Sequence, residues 1–83
     1  TISSAESDRL GRLWVGEGYS EVKYKGEIIG YNSQDRLRGY RKPSEKSTSY
    51  AETGVQSNFE TYRIVPGTDE KQKIGNAHFN IKD

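Results

Sequence analysis

The spacing of apolar positions changes period along this chain. Ser3 or Ser4 stands before Ala5-Glu6-Ser7-Asp8-Arg9-Leu10, a hydroxyl followed by acidic residues, which is how a helix begins. Ser3 and Glu6 have capping-box spacing. Leu10, Leu13 and Trp14 recur at i, i+3, i+4 and make one apolar stripe. Gly16 and Gly18 close the element. The pattern predicts a helix over about residues 3–15, opposed only by Gly11, which costs about 1 kcal/mol against Ala in a helix interior.

After Tyr19 the period shortens. Glu21–Tyr24 and Glu27–Tyr31 flank Lys25-Gly26 and read as a β-hairpin. Asn32–Asp35 is a turn, Arg36–Arg41 a third strand ended by Pro43, and 44–54 a polar loop. Val55–Val65 reads as a fourth strand, Pro66–Asp69 as a turn and Lys71–Lys82 as a fifth strand. The expected fold is α+β, an N-terminal helix packed on a four- to five-stranded antiparallel sheet. In the last strand, alternation places Gly75, Ala77, Phe79 and Ile81 on a helix-facing side. Ile74, Asn76, His78, Asn80 and Lys82 fall on the other side.

Composition narrows the picture. The 83 residues suffice for one small domain, 1–83, with the sheet over about 20–82. Only 30% are hydrophobic, so the core must be thin. Cysteine is absent, which excludes disulfides and thiolate metal sites. No apolar run is long enough for a membrane span, so no membrane anchor is expected in this segment. The chain starts at Thr1 and holds no methionine, and it is expected to be a segment of something longer. Net charge is +1, but Arg36–Lys46 carries +4 against −3 elsewhere, which suggests a local anionic ligand.

One histidine and no cysteine exclude zinc sites built from those residues, and the acidic side chains do not cluster in sequence, so no catalytic metal and no cofactor are expected. Gly16-Glu17-Gly18 lacks the rest of a phosphate loop. The segment Arg36–Lys46 interleaves Arg38, Arg41 and Lys46 with Tyr40, as RNA requires: cations for phosphates and a ring for a base. Its plainer reading is an edge strand guarded by charge. In Thr53–Arg63, Phe59 is the expected core anchor, while Gln56, Asn58, Glu60 and Tyr62 share the opposite face. Glu60 and His78 on neighbouring strands then form a candidate acid–base pair. The competing reading is a polar pairing that only solubilises the sheet, with His78 an ordinary surface residue. RNA cleavage without a metal needs a base for the 2′-OH, an acid for the leaving 5′-oxygen and cations for the phosphate. His78, Glu60 and the Arg41/Lys46 pair supply these, with the roles of base and acid open between His78 and Glu60.

Four stretches in order, "LGRLWVGEGY", "DRLRGYRKPS", "TGVQSNFETYR" and "IGNAHFNIKD", cover about Leu10 to Lys82. They resemble the C-terminal effector domains of bacterial polymorphic toxins, the tails of contact-dependent inhibition and Rhs-type proteins. The most specific matches are Tyr40, Arg41, Pro43 and Ser44; Gln56, Asn58, Phe59 and Glu60; and Gly75, Asn76 and His78. The resemblance implies a barnase/colicin-RNase-like fold and a ribonuclease acting on tRNA or rRNA. It also implies a cognate immunity protein, and delivery as part of a larger secreted or cell-surface protein into the cytoplasm of a target cell. It carries function onto Arg41, Lys46, Glu60 and His78, with Gln56, Asn58 and Asn76 in support, and leaves the need for a host factor open; Arg38, Tyr40 and Thr53 are expected beside them in binding substrate. The chain departs from such tails at His78-Phe79-Asn80, where they carry His-Leu-Asp or His-Leu-Asn; Asn80 would orient the histidine less strongly than Asp. The alternative is a small β-sheet module that binds RNA or protein without turnover.

Overall fold

The computed structural model describes residues 1–45 and 54–83. Helix α1 (Ser4–Val15) precedes five strands: β1 (Ser20–Tyr24), β2 (Glu27–Asn32), β3 (Arg38–Glu45), β4 (Val55–Ile64) and β5 (Lys71–Asn80). The strands form one antiparallel sheet in chain order, an α+β fold with the helix on one side.

The helix begins as its sequence dictates. The Ser3 side chain accepts the Glu6 N–H at 3.1 Å, and Gly16, at φ 77°, donates its N–H to the Arg12 carbonyl. The Lys25-Gly26 hairpin has φ 51° and 82° at its two turn residues, which matches the twist of the strands it joins.

The buried stripe of α1 differs from the one expected. Ser7, Gly11 and Val15 face the sheet, with Leu10 and Trp14 at the margins. Leu13 is 64% exposed, because 100° per residue carries it past the edge of the contact. Gly11 is what lets the helix sit down: a Cβ there would collide with the Tyr40 ring.

The core is a row of aromatic rings across the sheet. Register aligns Tyr31 with Tyr40, Tyr40 with Phe59 and Phe59 with Ala77. Tyr31 and Tyr40 stack at 5.8 Å, and Tyr40 meets Phe59 edge-on at 5.0 Å. Phe59 is buried, as expected of the anchor. Tyr40 is 1% exposed, with its hydroxyl 2.7 Å from Ser7 Oγ. The helix covers β2, β3 and β4 but not β5, so Phe79 stays 39% exposed on the side expected to be packed.

The third strand does not end at Pro43. It runs through Glu45, with an irregularity between Arg41 and Ser44 that accommodates the proline. It is central rather than an edge.

Candidate active site on the open face of the sheet

The face away from the helix is built in rows. One row aligns Val22, Gly30, Arg41, Asn58 and His78; the next aligns Asn32, Gly39, Glu60 and Asn76. The expected grouping of Arg41, Asn58, Glu60, Asn76 and His78 is thus brought together on three neighbouring strands. His78 and Glu60 are diagonal neighbours, a relation that places β-carbons roughly 7–8 Å apart.

Glu60 is the centre of this face. It is 3% exposed, yet polar contacts reach it from three strands, two of them ionic. Lys73 Nζ pairs with Oε2, the Tyr62 hydroxyl donates to Oε1 at 2.9 Å, and Arg41 Nε stands 3.7 Å from Oε1. Gly39 lies opposite, where a Cβ would press on the Tyr62 ring and approach the carboxylate. Burial by itself raises the Glu60 carboxyl. The hydrogen bonds from Lys73 and Tyr62 and the charges of Lys73 and Arg41 outweigh it, so its pKa lies below the usual 4.5. Tyr62 is pushed up to about 12, by burial first and then by its bond to the carboxylate. Glu60 is therefore a carboxylate at neutral pH.

A groove of about 230 Å³ opens on this carboxylate, walled by Val22 and Ile29 from the hairpin and by Arg41, Tyr62 and Lys71. Ile29 is the extra residue of a bulge between β1 and β2. Lys71 Nζ lies 4.2 Å from the centre of the Tyr62 ring. His78 and Asn76 are exposed on β5, beside the groove rather than in its wall.

Lys73 is the residue that sequence reasoning missed. Strict alternation puts it on the helix side with Gly75 and Ala77. The register instead steps from Thr61–Gly75 to Tyr62–Lys73, so Ile74 is an inserted residue and Lys73 turns to the Glu60 side. Gly75 beside it is the one signal in the sequence, since an isolated glycine in a strand marks a bulge.

Two expected members belong elsewhere. Tyr40 is sealed in the core and offers no ring to a base. Arg38 lies over the Trp14 ring on the helix side, 5.4 Å from its centre. The basic stretch is split by the pleat: Lys42 pairs with Asp8 on α1 at 2.6 Å, Arg36 donates to the Asp69 carbonyl, and Arg41 alone of these reaches the groove. Lys46 and Thr53 lie outside the described residues.

The amides on β4 are buried. Gln56 Nε2 donates to Asn80 Oδ1 at 3.2 Å. Asn58 is 4% exposed and its Oδ1 has no hydrogen-bond partner among the described residues, a state that costs about 1–3 kcal/mol. Ser57 Oγ is also unpartnered among the described residues, but by register Ser57 faces the helix side opposite Phe79. Among the described residues, no group of three or more His, Asp or Glu could hold a metal ion. No known protein family, curated protein or solved structure matches this chain.

Proposed function

We propose that this chain is a metal-independent endoribonuclease, the toxin domain of a larger delivered protein. The observation that carries this reading is the polar face itself: an ionised Glu60 at the base of a groove, Arg41 and Lys73 against it, and the only histidine on the next strand.

Since its pKa is depressed, Glu60 takes the part of base and His78 that of acid. Glu60 accepts the proton of a ribose 2′-OH, and that oxygen attacks the adjacent phosphorus. Arg41 and Lys73 turn from the carboxylate to the non-bridging oxygens as charge grows there. His78 gives a proton to the leaving 5′-oxygen as the P–O bond breaks. One proton enters at Glu60 and one leaves from His78, and the products carry a 2′,3′-cyclic phosphate and a 5′-hydroxyl. The hydrophobic wall of Val22 and Ile29 and the Tyr62 ring supply contacts for a sugar or base. The resemblance of the four stretches supports tRNA or rRNA as the substrate, a cognate immunity protein as the partner and a target cell's cytoplasm as the place of action.

The test is incubation of the purified chain with total RNA, with and without EDTA. Cleavage unaffected by chelator, with cyclic-phosphate ends, is expected. His78→Ala should lower the rate by about 10²–10⁴-fold, and Lys73→Ala by about 10²-fold. Full inhibition by EDTA, or an unchanged rate in His78→Ala, overturns the mechanism.

One observation favours a second reading. Both Glu60 oxygens are already engaged by Lys73 and Tyr62, as a purely structural carboxylate would be. A binding module of that kind would shift RNA on a gel without ever shortening it.

A further inference from the structure

The buried acceptor on Asn58 calls for a donor. Its neighbours in the row are Arg41 on β3 and His78 on β5. Directly opposed residues of an antiparallel pair hold their β-carbons about 4.5–5.5 Å apart, which a carboxamide and an imidazole ring can bridge. Arg41 Nε is turned toward Glu60. Glu60 already holds Lys73 on Oε2 and Tyr62 on Oε1, and Asn80 Oδ1 accepts from Gln56, whereas the Asn58 oxygen is the buried carboxamide acceptor without a partner among the described residues. A neutral imidazole offers one N–H and a protonated one offers two.

We infer that Asn58 is a positioning residue for His78, its carboxamide oxygen accepting a ring N–H of the protonated imidazole. The bond favours the charged ring and fixes its plane, so that the second N–H points toward substrate. This takes over the orienting role expected of residue 80. The charged groups facing the pair are Glu60 from β4, Arg41 from β3 and Lys73 from β5; β4 is the strand paired along β5 among the described residues. The catalytic meaning of the contact rests on the ribonuclease reading; the contact itself does not.

The test is NMR of the ¹⁵N-labelled full chain, titrated between about pH 5 and pH 9. His78 is the only histidine, so its ring nitrogens need no assignment. In Asn58→Ala, the pH at which the ring gains its second proton should fall by about half a unit to one unit, and its N–H should exchange faster with water. In Asn58→Asp, where an anion replaces the acceptor at nearly the same volume, that pH should rise by about one unit. The alkaline limb of kcat/KM should move with it in both variants. If Asn58→Ala does not fold, the isosteric Asp variant decides the matter. A ring titration unmoved by the substitutions overturns the inference, even if RNA is cleaved. A titration that moves while RNA stays intact upholds the inference and removes the ribonuclease reading.

Discussion

At the scale of single residues, burial decides what each polar group can do. Glu60 sits where desolvation should neutralise it, and two donors, Lys73 and Tyr62, with the charge of Arg41 keep it ionised instead. Its folded pKa is depressed, so its contribution to stability is complete above 4.5 and is lost as pH falls through the folded value. Glu60→Gln should therefore cost about 1–3 kcal/mol at neutral pH, and the gap to the parent chain should shrink below about pH 4.5; urea midpoints across that range measure it. Tyr40 makes the contrasting case. Tyr40→Phe strands the Ser7 hydroxyl and should destabilise the chain by about 1–3 kcal/mol in the same assay, while RNA affinity, measured by gel shift, stays unchanged. The residue types of the candidate site were legible in the sequence, since a histidine, a carboxylate and an arginine on alternating positions of three strands define one face. Tyr40 and Arg38 were not placeable, because nothing local tells a tyrosine in a basic strand that its neighbours in the row are Tyr31 and Phe59.

At the scale of elements, the informative features are the exceptions to periodicity. Helix α1, the Lys25-Gly26 hairpin and strands β4 and β5 begin where caps and turn residues say they should. Gly11 looked like a weakness of the helix and is the position where a side chain would collide with the Tyr40 ring. Gly11→Ala gains about 1 kcal/mol of helix propensity but forces the helix off Tyr40, so a net loss of about 1–3 kcal/mol is expected in chemical denaturation. The inserted Ile74 has a larger consequence, because one extra residue exchanges the faces of a strand. It carries Lys73 to Glu60 and thereby replaces the cations that the pleat of β3 sends to the helix side.

At the scale of the whole molecule, one thin aromatic core holds a sheet whose fifth strand lies beyond the helix. The chain ends secure that strand. Ile2 donates to the Asn80 carbonyl and accepts from the Lys82 N–H, Ile81 is buried, and Asp83 receives both the N–H and the hydroxyl of Ser4. Removal of residues 1–3 should cost about 1–2 kcal/mol, or roughly 5–10 °C in Tm, and should speed hydrogen exchange most at Lys82, whose N–H loses its acceptor. His78 lies two residues from this clasp, so cleavage should weaken in the truncated chain at temperatures well below its Tm.

The helix, the strand count, the antiparallel meander and the polar face of β4 were determined by local rules: caps, turns and alternation act over a few residues and are written there. Lys73 beside Glu60, the division of the basic stretch between two faces, the burial of Tyr40 and Asn58 and the exposure of Leu13 were decided by register, bulges and the docking of one helix. Those depend on pairings between distant segments, whose free energies no short window of the chain contains.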